Sequence, residues 1–253
     1  MINSNPQHYS NISGGDIVKK KSIFLFLAVS IIGLSGCSKV KDVETSKSAL
    51  VTTVSGTAKS STVYWRTDSD GVNKTSVKNS KFSIKMPNTL SKYSMKLSDS
   101  KNFKNAKSIE VAAAKPLISY PKFSSEFNSY SDKLNGYDLT NVKVSDEGAQ
   151  GLSTLYQSTE GNVIVRGTID DDKLVGLSLT ALFMNQLSQR ETTESSYALG
   201  LIAKSLGSDY KVVFRGLNKT LSKGGQKITV KSKGITYDFD AKKGTILTVL
   251  IHK

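Results

Sequence analysis

The pattern of apolar and polar residues divides the chain into three parts. Residues 23–34 form a nearly continuous apolar run near the start of the chain. Residues 49–115 contain short stretches in which apolar and polar side chains alternate, which is typical of β-strands. From residue 122 onward, apolar residues at spacings of three and four alternate with further strand-like stretches, so this part mixes helices and strands.

Alternation in the middle part predicts strands at residues 50–54, 61–65, 81–86 and 107–111. Turn residues separate these stretches at Ser55-Gly56, at residues 68–71 and at Pro87-Asn88. Several short strands with close turns favour a small all-β sandwich over residues 49–115. The residues of this region resemble those of a bacterial immunoglobulin-like domain, and the resemblance rests on Val54, Gly56, Ala58, Phe82, Ile84 and the sequence Leu97-Ser98-Asp99.

The last part predicts an α+β domain over residues 116–253, an antiparallel sheet with helices on one face. Phe123, Phe127, Tyr130 and Leu134 lie at helical spacing, and Asn135-Gly136 is expected to end that helix. Two further helices are predicted at residues 194–206, ended by Gly207, and at residues 209–221. Strands are predicted at residues 139–144, 152–157, 162–169, 173–179, 227–230, 235–239 and 245–251. Two prolines, at 116 and 121, bracket the expected link between the domains.

The first part has the layout of a secretory signal over residues 1–36. Three lysines precede the apolar run, which is short for a membrane-spanning helix, and Leu34-Ser35-Gly36-Cys37 follows it. These four residues resemble the lipobox of bacterial cell-surface lipoproteins. The resemblance implies that a lipid is attached to Cys37, that the chain is cut before it, and that the protein is anchored on the outer face of the membrane. The charged, polar residues 37–48 are then expected to be a flexible tether.

Residues 1–17 do not resemble a signal, and we expect translation to begin at Val18. The codons GGAGGTGAT encode Gly14-Gly15-Asp16 and match the purine-rich sequence that pairs with bacterial ribosomal RNA. The many lysine, asparagine and isoleucine residues favour an AT-rich genome, and with the single lipidated cysteine they favour a Gram-positive source related to the lactic-acid bacteria.

Positive charge limits the class of partner. The formal net charge is +14, and removing the leader, with three lysines and Asp16, leaves 14 − 2 = +12. Only Arg66, Arg166, Arg190 and Arg215 are arginines, so the remaining 31 of the 35 basic residues are lysines. Lysine is a hydrated point charge without the arginine fork, so a lysine-rich exported surface favours anionic wall polymers or anionic lipid headgroups. No nucleic-acid-binding motif is present, and no nucleic-acid partner is expected.

No catalytic, metal-binding or cofactor motif is found. Cys37 is the only cysteine, and the two histidines are His8 and His252. The acidic stretches at residues 68–71 and 170–172 favour turns over calcium sites, because the later calcium ligands are missing. Two Ser-x-x-Lys spacings, at residues 38–41 and 98–101, lack the partner motifs of a serine hydrolase.

The sequence therefore favours a non-enzymatic binding or structural lipoprotein. Tyr64, Trp65 and Arg66 are the candidate surface for recognition, although alternation places Tyr64 and Trp65 on opposite faces and favours Trp65 as core. The alternative is a hydrolase of wall glycans, which needs two carboxylates in one cleft. Its available carboxylates are those of Glu126, Asp138, Asp146, Glu147 and Glu160.

Overall fold

The computed structural model describes residues 39–133, 142–145, 150–182, 189–223, 226–242 and 246–253, without the side chains of residues 189–192. These residues form a β-rich, antiparallel structure with three short helices. The N-terminal strands are β1 (Val40–Lys47), β2 (Val51–Ala58), β3 (Thr62–Thr67), β4 (Asn73–Ser76), β5 (Lys81–Pro87), β6 (Tyr93–Ser98) and β7 (Lys107–Val111). The remaining elements are β8 (Ile118–Ser119), α1 (Tyr120–Asp132), β9 (Gly151–Gln157), β10 (Val163–Asp170), β11 (Lys173–Leu182), α2 (Gln189–Ser205), α3 (Tyr210–Ser222), β12 (Ile228–Ser232), β13 (Ile235–Lys242) and β14 (Ile246–His252).

The first seven strands form two sheets that share one hydrophobic cluster. The strand orders are β1-β2-β5 and β4-β3-β6-β7, and we call these two sheets the N-terminal sheets. Alternation explains which residues enter the cluster: in β5, Phe82 and Ile84 are buried, while Lys81, Ser83 and Lys85 are exposed. The buried members of the cluster are Val40, Val54, Ala58, Val63, Phe82, Ile84, Met95, Leu97, Ile109 and Val111.

Strand β1 corrects the prediction of a flexible tether over residues 37–48, which is wrong for residues 40–47. The strand pairs with β2 from Val40 opposite Ala58 to Lys47 opposite Thr52. Val40 and Val43 are three residues apart, a spacing that simple alternation puts on opposite faces. A bulge between Lys41 and Glu44 adds the residue that brings both valines onto the hydrophobic cluster.

The remaining strands form one seven-stranded sheet, which we call the C-terminal sheet. Its order is β12-β13-β14-β11-β10-β9, and β8 pairs with β11 outside this path. In β13, Tyr237 and Phe239 are fully buried, while Asp238 and Asp240 on the other face are partly exposed. The three helices pack on the buried face, so the second hydrophobic cluster lies between the helices and the sheet.

The helices begin and end largely where the spacing predicts. Phe123 and Phe127 of α1 are fully buried, while the predicted end at Asn135-Gly136 lies outside the described residues. Gly207 ends α2 with φ of 69°, which confirms the predicted cap. Among the described residues, no helix has the length and apolarity needed to span a membrane.

Two predicted elements are wrong. Residues 117–120, expected to be a connecting link, contain β8 and the first residue of α1, because β8 pairs with β11 and Pro121 suits the first turn of a helix. The strand predicted at residues 139–144 is absent over residues 142–144, and residues 139–141 lie outside the described residues. Asn128 of α1 holds this segment instead, through two side-chain hydrogen bonds with the backbone of Val144 at 2.9 and 3.0 Å.

The N-terminal sheets meet the C-terminal sheet at one end. The Thr168 hydroxyl donates to the Leu50 carbonyl at 2.8 Å, and the Leu90 N–H donates to the Asp170 carboxylate at 2.7 Å. Gly176 allows the close approach, because a Cβ atom at this position would lie 1.8 Å from the carbonyl oxygen of Ala49. This junction fixes residues 49–50 and 90 against strands β10 and β11.

Candidate functional site

A tight hairpin between β4 and β5 brings two lysines together. Lys78 and Lys81 exchange two backbone hydrogen bonds of 2.9 Å, so they lie directly opposite each other. The two residues between them, Asn79 and Ser80, have φ of 50° and 60°. Two positive φ values are typical of the turn whose twist matches a β-hairpin, and side chains of directly opposed residues point to the same face.

The sequence around this turn repeats a Lys-x-Ser-x-Lys pattern, once at residues 74–78 and once at residues 81–85. Val77, Phe82 and Ile84 face the hydrophobic cluster, so the lysines and serines between them face outward. A groove of about 470 Å³ results. It is lined by Ser55, Ser76, Lys78, Lys81, Phe82 and Ser83.

The groove carries positive charge that is not compensated by the described part of the chain. Within that part, neither Lys78 nor Lys81 lies within ion-pair distance of a carboxylate. Like charges directly opposite each other on a sheet are destabilising, and a bound anion relieves the repulsion. Three serine hydroxyls beside the two ammonium groups add hydrogen-bond donors, so the groove is suited to bind an anion.

A second, larger groove differs in its charge balance. It has a volume of about 830 Å³ and lies along α1, where it is lined by Pro121, Ser124, Ser125, Asn128, Ser129, Asp132, Lys133 and Lys143. The Lys143 ammonium lies 2.8 Å from the Asp132 carboxylate, so one of its two lysines is paired. The charge at this groove therefore gives no comparable preference for an anion.

Tyr64, Trp65 and Arg66 lie in strand β3 and do not share one face. Trp65 packs against the hydrophobic cluster, whereas Tyr64 and Arg66 point outward. The Arg66 guanidinium lies 4.6 Å from the centre of the Phe103 ring, so a contact within the chain already occupies it. The trio is therefore not assembled as one recognition surface.

The carboxylates named for the hydrolase alternative are not brought together by the described residues. Glu126 lies on α1, 3.8 Å from the Lys122 ammonium, and Glu160 lies in the turn between β9 and β10. Asp138, Asp146 and Glu147 lie outside the described residues, as does Cys37.

The acidic stretches form turns. Asp171 and Asp172, with φ of 47° and 55°, make the hairpin between β10 and β11. Near Asp68, the Thr67 hydroxyl donates to the Asp70 carboxylate at 2.8 Å. The described residues contain no group of three or more potential metal ligands.

One titratable pair was not anticipated from the sequence. His252 Nε2 lies 2.9 Å from Asp238 Oδ2, and the Thr229 hydroxyl donates to Asp238 Oδ1 at 2.5 Å. The hydrogen bond with Asp238 raises the pKa of His252 above its usual value, against a smaller opposing effect of burial. Burial raises the pKa of Asp238, but the hydrogen bonds from His252 and Thr229 outweigh it, so the pKa of Asp238 is lowered.

Comparison with known proteins gives no assignment, because no family model, no curated protein and no solved structure matches the chain. The anion-binding groove was also missed from the sequence alone. The signal that indicates it is the doubled Lys-x-Ser-x-Lys pattern on either side of Asn79-Ser80.

Proposed function

We propose that the protein is a lipid-anchored, non-enzymatic binding protein on the outer face of the cell membrane, with an anionic wall polymer or the anionic membrane surface as its partner. The observation that carries this proposal is the groove in which Lys78 and Lys81 oppose each other beside three serine hydroxyls. Phosphate esters are the chemistry that wall polymers and lipid headgroups share. Lysine is an established phosphate ligand, and a serine hydroxyl donates readily to a phosphate oxygen.

The proposal assigns a role to each part of the chain. Cys37 carries the lipid, and the N-terminal sheets form an immunoglobulin-like sandwich that includes β1 and extends through residue 115. Residues 116–253 form an α+β domain. The lysine excess supports an electrostatic partner, and no cofactor takes part in binding.

The test is binding to a soluble poly(glycerol phosphate) polymer, measured by calorimetry. A chain that begins at Ser38 keeps every described element and both hydrophobic clusters. The variant with Lys78→Gln and Lys81→Gln is expected to lose about tenfold in affinity, since each ammonium contributes a charge-assisted hydrogen bond in an exposed groove. The matched control replaces Lys211 and Lys219, two exposed lysines of α3, by glutamine and is expected to keep its affinity.

Salt provides the second criterion. Binding that rests on exposed charges weakens as ionic strength rises, because salt screens them. Absent binding, salt-insensitive binding, or equal losses in the groove and control variants would each refute the proposal.

A further inference from the structure

The groove lies at the end of the N-terminal sheets where the described chain begins. Val40 is opposite Ala58, and the Ala58 N–H donates to the Ser80 carbonyl at 3.0 Å. The Val77 N–H donates to the Ser61 carbonyl at 2.9 Å, so the connection between β2 and β3 lies at the same end. The start of β1, the β2–β3 connection and the β4–β5 hairpin therefore lie side by side.

The connection between β6 and β7 joins them. The Lys39 ammonium lies 3.2 Å from the Asp99 carboxylate, at the beginning of that connection. Residues 99–106 thus lie beside the start of β1. We call this whole surface the basic end, because its exposed lysines are Lys39, Lys41, Lys59, Lys78, Lys81, Lys101 and Lys104.

The charge of the basic end is strongly positive. Its carboxylates among the described residues are Asp42 and Asp99, so seven lysines minus two aspartates leave 7 − 2 = +5. Asp99 is paired with Lys39, and the Asp42 carboxylate accepts a hydrogen bond from Thr57 at 2.8 Å. Both acids are therefore engaged within the protein, and the other lysines face outward.

The opposite end of the N-terminal sheets is occupied. Leu50 and Leu90 hydrogen-bond to Thr168 and Asp170 there, and Ala49 touches Gly176. The C-terminal sheet and its helices therefore lie at the end away from the start of β1. The molecule has one basic end and one end that carries the C-terminal sheet.

We propose that the basic end lies on the headgroups of an anionic bilayer and holds the C-terminal sheet away from the membrane. This rests on the proposed function, in which Cys37 carries the lipid. Three residues separate Cys37 from Val40, and three residues span at most about 11 Å, so an anchor at Cys37 keeps the basic end close to the membrane surface. At that range the attraction between lysines and anionic headgroups is only partly screened, because the Debye length is about 8 Å.

A bilayer is favoured over a wall polymer by this arrangement. The lysines are spread over four separate chain segments at one end, which suits a broad surface of charge. A single acyl chain also gives weak attachment, so stable anchoring needs a second signal such as a basic patch.

The test uses vesicles of phosphatidylglycerol and phosphatidylcholine in equal parts, with the chain that begins at Ser38. A variant with Lys41→Gln, Lys59→Gln and Lys104→Gln removes basic-end charges outside the groove. Its vesicle affinity is expected to fall by a factor on the order of a hundred, at about fivefold per lysine. The matched control with Lys211→Gln, Lys219→Gln and Lys223→Gln, all exposed residues of the α3 region, is expected to change less than about twofold, since its charges lie away from the bilayer.

The outcomes separate this inference from the proposed function. Equal losses in the two variants, or equal binding to pure phosphatidylcholine vesicles, would overturn the inference. Binding of the poly(glycerol phosphate) polymer through Lys78 and Lys81 without any vesicle binding would overturn the inference and leave the proposed function standing. Loss of both kinds of binding would overturn both.

Discussion

The backbone N–H of Ala58 donates a 3.0 Å hydrogen bond to the carbonyl oxygen of Ser80. This contact joins the end of β2 to the turn of the β4–β5 hairpin. Because Ala58 also lies opposite Val40, the first described strand and the two opposed lysines occupy one end of the molecule. The proposed orientation on a membrane follows from this arrangement.

Replacing one of the opposed lysines by an acid is predicted to stabilise the protein. In the variant Lys81→Glu, the repulsion with Lys78 becomes an attraction, and the free energy of unfolding is expected to rise by roughly 0.2–1 kcal/mol. Urea unfolding at low salt measures the change, which should shrink at high salt. Lys85→Glu is the control, because the residue opposite Lys85 on β2 is Thr53. A gain of equal size in the control, or one that high salt does not reduce, would show that the repulsion is not the cause.

Adding a methyl group at the junction is predicted to destabilise the protein. In Gly176→Ala, the new Cβ would lie 1.8 Å from the Ala49 carbonyl oxygen, so the backbone must shift. The expected loss is about 1–3 kcal/mol in the free energy of unfolding, measured by urea titration. Gly71→Ala is the control, since nothing lies within 4 Å of a Cβ at that position. A neutral Gly176→Ala would mean that the two parts of the chain do not approach as closely as described.

The sequence predicts elements whose period is regular and misses those that depend on local irregularity or distant contacts. The spacing of Phe123 and Phe127 predicts α1, because both face the same core. Val40 and Val43 share a face only because of a bulge, which the apolar pattern does not reveal. Strand β4 was missed because none of its residues, Asn73–Ser76, is apolar.

The candidate site shows the same division. Alternation correctly separates Tyr64 from Trp65, but the contact between Arg66 and Phe103 arises from a connection in which Phe103 has φ of 56°. The opposition of Lys78 and Lys81 requires a two-residue turn at Asn79-Ser80, a pair less typical of such turns than Asn-Gly. The lysine and serine pattern was visible, but its geometry depended on that turn.

The pair formed by His252 and Asp238 is predicted to make stability depend on pH. The pKa of His252 is raised on folding, so its contribution is complete below the usual pKa of histidine and is lost as pH rises through the folded pKa. The pKa of Asp238 is lowered, so its contribution is present above the usual pKa of aspartate and is lost as pH falls through the folded pKa. The pair therefore stabilises most between roughly pH 4 and pH 6.5.

His252 is convenient to follow, because the chain beginning at Ser38 contains no other histidine. Its imidazole resonances, titrated by NMR, should give a pKa above the usual value for histidine, and Asp238→Asn should lower that pKa. The melting temperature of His252→Gln should differ from that of the original chain mainly within the stated window. A His252 pKa unaffected by Asp238→Asn would contradict the pairing.

Lipid attachment is predicted at Cys37. When the full chain is expressed in a bacterium, mass spectrometry of the membrane fraction should find a mature N-terminal peptide that begins with diacylglyceryl-modified Cys37. The variant Cys37→Ser should lack this modification and remain uncut before residue 37. An unmodified Cys37 in the mature protein would remove the anchor from the account.

The most direct test of the central claim measures which end of the protein meets the bilayer. The chain that begins at Ser38 has no cysteine, so a single fluorescent label can be attached at Ser61→Cys in the basic end or at Asn218→Cys on α3. Both positions are exposed. With phosphatidylglycerol vesicles that carry a headgroup quencher, the account predicts quenching of the label at residue 61 and none at residue 218. Quenching at residue 218, or equal quenching at both positions, would contradict it.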